Sequence, residues 1–143
     1  MSGETMGPGD VVRLTLPAST AFVGVARSLA AGLATRLDFD LDHVEDLRLA
    51  VSEACSVVLP EALPGSDLGV TLLVGDGDLT VHITTTSTAA QAPPTDSFAW
   101  TVLNALADDV AVELAGGRLT VRLHFVATSD PQTFDTPAGA ELS

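Results

Sequence analysis

The sequence predicts an α+β protein: a two-layer sandwich in which helices cover one face of a mixed, mostly antiparallel sheet. Three observations carry this. Val44, Leu47, Val51, Ala54 and Val58 recur at alternating steps of three and four, one buried stripe of a helix. Gly75-Asp76-Gly77-Asp78 separates two β-rich runs, and Gly116-Gly117 separates two more, as tight turns requiring positive φ do. The order of segments is then β-α-α-β-β-α-β-β, without internal repeats.

In chain order, residues 1–10 are Gly, Pro and polar, and read as a loose leader. Val11 to Leu16 reads as a strand. Ser19 or Thr20 is placed to cap a first helix, with Phe22, Val25, Leu29 and Leu33 as its buried stripe. Asp40 starts the second helix, which Pro60 or Pro64 ends. Leu68 to Val74 and Leu79 to Thr84 form a hairpin, in which Asp76 reads as a turn residue rather than a ligand. A polar loop from Thr85 to Asp96, with Pro93-Pro94, leads to a third helix over Ser97 to Ala107. Strands Val110 to Leu114 and Arg118 to Val126 follow. Residues 128–143, with Pro131, Pro137 and Gly139, read as a tail whose one large apolar group is Phe134. One domain over 11–127 is the expectation, and 143 residues suffice to bury a core without a disulfide or structural metal.

Charge narrows the function classes. The chain has 19 acids against six arginines and no lysine, a formal net charge of −13. Such a surface opposes a phosphate backbone, so direct nucleic-acid binding is not expected. No apolar run approaches the roughly 20 residues that span a bilayer, and the first ten residues lack a signal-peptide pattern, so no membrane partner and a cytoplasmic location are expected. The single Cys55 sits in the second helix and cannot close an internal disulfide; it reads as a small buried hydrophobe, with a redox or intermolecular role as the alternative. His43, His82 and His124 are scattered without metal-ligand spacing, and no metal site is expected.

The wording of the second helix, Asp46-Leu47-Arg48-Leu49-Ala50-Val51-Ser52-Glu53-Ala54, resembles the first conserved helix of the anti-sigma-factor serine kinases, the RsbW-like branch of the GHKL (Bergerat-fold) ATPases. The resemblance runs from Leu14 to about Val126. Leu103 to Val110 is similar to the end of the family's third conserved helix and its turn into the next strand, where Asp108 and Asp109 read as a solvated helix end.

In that family the helix carries Glu-Ala-x-x-Asn: the Glu is the general base that activates the attacking hydroxyl, and the Asn holds the Mg²⁺ bridging the ATP phosphates. Here the Glu is Glu53 and the Asn position is Val57, which has no lone pair for a hard cation. The family's Asp-x-Gly-x-Gly, which holds the adenine amino group and lets backbone approach the nucleotide, falls on Thr85, Ser87 and Ala89. Its second Gly-x-Gly, which packs on the triphosphate at a helix start, falls on Ser97 and Ala99, with bulky Phe98 and Trp100 where the family has room for phosphate. The lid is cut to Gln91-Ala92-Pro93-Pro94-Thr95-Asp96, too short to fold over a triphosphate.

Each hydrogen bond missing from a buried polar group costs about 1–3 kcal/mol, so losing metal ligand, adenine acceptor, phosphate glycines and lid together implies negligible ATP binding. No cofactor is therefore expected, with ATP and Mg²⁺ required only if the kinase reading holds. Glu53 reads as a vestigial base or as a surface or partner-contact acid.

The resemblance also implies partners. Arg27 lies where the family places an arginine that contacts the sigma factor and the anti-anti-sigma protein. With Phe22 at the centre of the buried stripe, Arg27 falls on the far side of its helix, able to meet a carboxylate on a partner; a solvated surface arginine is the alternative. The leading expectation is an anti-sigma factor that sequesters an alternative sigma factor and is released by an anti-anti-sigma (STAS-domain) protein, with relative affinities setting the output. An active serine kinase phosphorylating that antagonist, and a GHKL-like binding module for another signalling protein, are the alternatives. A homodimer is implied by the resemblance.

Overall fold

A computed structural model of the chain describes residues 6–127. The tail with Phe134, and residues 1–5 of the leader, lie outside the described residues. The elements are β1 (Val11–Pro17), α1 (Val23–Arg36), α2 (Leu41–Val58), β2 (Asp67–Val74), β3 (Asp78–Thr86), α3 (Phe98–Leu106), β4 (Asp109–Ala115) and β5 (Arg118–Val126). Short 3₁₀ turns at Thr20–Phe22 and Leu59–Glu61 flank the helix pair.

The strands form one sheet in the order β1-β2-β3-β5-β4. All four ladders are antiparallel, with no parallel pair among them where a mixed sheet had been the expectation. β5 inserts between β3 and β4, with Val81 opposite Leu123 and Val121 opposite Val112. Two-residue turns set the register: Gly116 and Gly117 take φ of 60° and 76°, the mirror-image turn that matches strand twist, and leave Ala115 opposite Arg118.

Alternation along the strands makes one face apolar. Leu68, Val70 and Leu72 of β2, Leu79, Val81 and Ile83 of β3, and Leu119, Val121 and Leu123 of β5 are all buried. Against this face lie the α2 stripe of Val44, Leu47, Val51, Ala54 and Val58, with Trp100 and Leu103 of α3. The Asp40 carboxylate caps α2 by accepting the His43 N–H at 2.9 Å.

α1 departs from the expected stripe. Its buried positions are Ala26, Ala30, Ala31, Leu33 and Ala34, while Val25 is 47% exposed and Phe22 and Leu29 are only half-buried. Ala26, Ala30 and Ala34 repeat every four residues, and such a row of methyl groups lets α1 approach α2 closely. Close packing here is achieved by small side chains, not large ones. At the end of α1, Asp38 takes φ of 66°, and the Phe39 N–H donates to the Ala34 carbonyl at 3.1 Å, turning Phe39 into the core.

Asp108 is exposed at the end of α3, as expected, and also ties the sheet. Its carboxylate accepts the Val126 N–H at 2.8 Å, and its own N–H donates to the His124 carbonyl at 2.9 Å. His124 in turn pairs with Asp78 at 2.7 Å, linking β5 to the start of β3. No described helix is long and apolar enough to cross a membrane.

Candidate partner-binding site

Successive residues of a helix are turned about 100° from one another, so Ser52 and Glu53 leave α2 in different directions. Ser52 faces α1. There Arg27 Nη1 donates to Ser52 Oγ at 2.9 Å, so Arg27 lies in the seam between the two helices and not on the far side of α1. The reason is the alanine face: once Ala26, Ala30 and Ala34 mark the buried side, Arg27 falls at its border with α2.

Arg27 is half-buried, and one of its five donors is used by Ser52. The ion pairs among the described residues are His43–Asp40, Arg48–Glu45 and His124–Asp78, so no described carboxylate lies within 4.0 Å of Arg27. Gly24 adds little steric cover, since a Cβ there would stand 3.5 Å from Arg27 Nη2 in ordinary contact. Beneath this seam Cys55 is fully buried, and burial pushes its thiol up to about 11 against the opposing pull of Arg27. The thiol therefore stays protonated at neutral pH and behaves as an apolar side chain.

Glu53 is half-buried. Ser56 Oγ donates to the Glu53 carbonyl at 2.7 Å and lies 3.5 Å from Glu53 Oε2, and no described cation is within ion-pair distance. Val57 is partly buried and packs on the core, presenting only carbon.

At the end of β3, Thr85 is fully buried, its Oγ1 donating to the Asp67 carbonyl at 3.0 Å and lying 3.4 Å from Ser66 Oγ. Ser87 is buried as well: its Oγ accepts the Ala89 N–H at 3.1 Å, and its N–H donates to the Gly117 carbonyl at 2.9 Å. Ser97 caps α3 by accepting the Trp100 N–H at 3.3 Å, and Ala99 is half-buried beside it.

Phe98 does not fill a pocket. It is 82% exposed, whereas Trp100, about 200° further round the helix, is 8% exposed and joins the core with Leu103. The side chains at Val57, Thr85 and Ser87 do not fit a magnesium–nucleotide ligand set: one is apolar, and the two hydroxyls are committed to the protein's own backbone.

Two cavities of about 400 Å³ are among those that border the described surface. One, about 410 Å³, opens on the uncovered face of the sheet and is lined by His82, Ala111, Val112, Glu113, Thr120 and Arg122. Burial, and then Arg122, hold His82 below the usual histidine range, with Glu113 opposing. The other, about 400 Å³, is lined by Ala18, Thr20, Ser56, Leu59 and Pro60 at the end of the α1–α2 pair. Neither contains Val57, Thr85 or Ser97. Among the described residues, no three His, Cys, Asp or Glu side chains cluster to hold a metal.

The sequence reading missed Ser52 and Ser56. A signal was present, since serines one turn apart beside the apolar stripe mark a polar ridge, but which neighbour that ridge meets depends on packing.

Comparison with known proteins fits this architecture. No family model matches the chain. Over 99 residues it is 34% identical to the anti-sigma-F factor RsbW of Mycobacterium tuberculosis, covering 69% of this chain and 59% of that protein. Over 76 residues it is 33% identical to the serine-protein kinase RsbW of Halalkalibacterium halodurans, covering 52% and 47%. The chain thus spans less than two thirds of the length of these relatives. A crystal structure of RsbU and RsbW domains from Mycobacterium tuberculosis superposes with a TM-score of 0.65 at 16% identity, over 83% of this chain and 32% of that one, a likeness of fold. The chain is a member of the RsbW-like family of anti-sigma factors and serine-protein kinases.

Proposed function

We propose that the chain is an anti-sigma factor that holds an alternative sigma factor by direct binding, yields it to a competing STAS-domain antagonist, and does so without phosphoryl transfer. The observation that carries the reading is Arg27: Ser52 orients its guanidinium at the α1–α2 seam, and no described carboxylate answers its charge. A fork of donors held in place loses less side-chain freedom when a partner's carboxylate arrives. The mycobacterial relative, an anti-sigma-F factor, supports the sigma-factor part of this reading.

Inhibition then works by occupancy. Sigma factor and antagonist compete for one surface, and the output follows their relative affinities and concentrations. Residues 11–127 are the binding domain in this reading, the site of action is the cytoplasm, and the working unit is a homodimer, which light scattering of the free protein checks.

Calorimetric titration of purified alternative sigma factors into the wild type and Arg27→Ala tests the proposal. Arg27→Ala is expected to weaken the sigma factor that binds by about tenfold or more, as loss of a charged hydrogen bond does. Equal affinities would remove Arg27 from the interface.

The kinase reading is favoured by Glu53 at the position of the family's general base and by the Halalkalibacterium halodurans relative, a serine-protein kinase. Transfer of phosphate from Mg-ATP to a serine of the antagonist, lost in Glu53→Gln, would establish it in place of occupancy.

A further inference from the structure

We propose that the cavity between the β1–α1 connection and the end of α2 is a second anchor point beside Arg27, and that it takes an aliphatic side chain from a helical segment of the partner carrying a single carboxylate one turn away. The inference rests on the reading of Arg27 as a partner contact and adds the chemistry of what docks there.

Position comes first. Arg27 is fixed to Ser52, and Ser56 lines the cavity. Four residues of helix separate these serines along the axis by about 6 Å, so Ser52, which holds the guanidinium, and Ser56, on the cavity wall, lie one turn apart on the same ridge of α2. A partner helix presents side chains at i and i+4 on one face with this same spacing. An acid and an aliphatic residue so placed reach both points together.

The walls suit an aliphatic side chain. Ala18, Leu59 and Pro60 contribute carbon, exposed Thr20 adds a methyl and a hydroxyl, and Ser56 spends its hydroxyl on the Glu53 carbonyl at 2.7 Å. Both walls are held from behind: the Ala18 N–H donates to the Ser66 carbonyl at 3.1 Å, Ser19 Oγ accepts the Ala21 N–H at 3.2 Å, and the Ala62 N–H donates to the Leu59 carbonyl at 3.1 Å. A preformed apolar recess beside a charged group is the arrangement in which a few buried contacts dominate an interface.

Charge defines the partner further. Glu53, which no described cation pairs, and Glu45, which Arg48 pairs at 3.7 Å, flank the same ridge in a chain of formal net charge −13. A run of acids would be repelled there, so Arg27 reads one carboxylate set among neutral or basic residues.

Synthetic helical peptides, alanine-based with lysines on the far face, serve as the probe. They carry Asp and Leu four residues apart, in either order, and are titrated by fluorescence polarisation. Replacing the peptide Leu by Ala is expected to weaken binding to the wild type about tenfold, and replacing Asp by Asn to do the same. In Ala18→Phe, which fills the cavity, the Leu dependence should vanish while the Asp dependence stays; in Arg27→Ala the reverse should hold. If Ala18→Phe does not fold, the peptide series on the wild type decides alone. A Leu-to-Ala change worth less than about twofold, with Asp still required, overturns the cavity assignment and leaves Arg27 standing. Indifference to both changes overturns the reading of Arg27 as well. Loss of self-association of the free protein in Ala18→Phe would assign the cavity to a second copy of the chain and overturn the proposal.

Discussion

The α1–α2 seam and the β3–α3 end of the molecule both carry polar side chains where the family resemblance expects function, yet they use them differently. At the seam, half-buried Arg27 is held by one hydrogen bond to Ser52 and is met by no described carboxylate. At the end of β3, Thr85 and Ser87 are buried and bonded to the chain's own backbone. A polar group satisfied inside the fold supports the scaffold, whereas one oriented but left unanswered is available to a partner.

The severest way to break this contrast is to restore the family's acid with Thr85→Asp. A carboxylate in that fully buried place is stripped of its hydration, and chemical denaturation should show a loss of about 3–5 kcal/mol, with no gain of ATP affinity. A small loss accompanied by nucleotide binding would mean that the end of β3 opens to ligand. Arg27→Ala gives the opposite signature: a change in unfolding free energy within about 1 kcal/mol, against a partner affinity lowered about tenfold or more.

Smaller effects sharpen the picture. Thr85→Val keeps shape and removes the hydroxyl bonded to the Asp67 carbonyl, and should cost about 1–2 kcal/mol in the same denaturation assay. Ser97→Ala removes the α3 cap and should cost about 1 kcal/mol without touching sigma-factor binding.

The mildest effect is on pH. His82 sits below its ordinary value because of burial, so its contribution is complete above pH 6.5 and lost as pH falls through the lowered folded value. His43 is raised by its hydrogen bond to Asp40, so its contribution is complete below pH 6.5 and lost as pH rises through the raised one. Asp40 is lowered by the same cap, and its share is lost only as pH falls below 3.8 and through its folded value. Melting curves between pH 5 and 8 should flatten on the acid side in His82→Asn and on the alkaline side in His43→Asn.

What the sequence made legible was local. The stripe on α2, the Asp40 and Ser97 caps, and the glycine turns each state their geometry within a few residues, and the helices and strands follow from them. The α1 face was misread because pattern reasoning weighs large apolar residues, while two helices packed closely select alanine. That one error displaced Arg27, since its direction was inferred from the supposed stripe. Phe98 was misplaced for a related reason: bulk does not tell which side of a new helix faces inward, and Trp100 took that side. The insertion of β5 between β3 and β4, like the Ser52 contact, joins residues far apart in sequence and has no local signal.

The central claim, that α2 works through its Arg27 side and not through phosphate chemistry beside Glu53, meets its most direct test in the thermal unfolding of the chain with Mg-ATP. A ligand at a hundred times its Kd adds about 2.7 kcal/mol of stability, a shift of several degrees for a domain of this size. The expected result is an unchanged melting temperature at millimolar nucleotide. A saturable rise with Mg-ATP, absent with magnesium alone, would contradict the account.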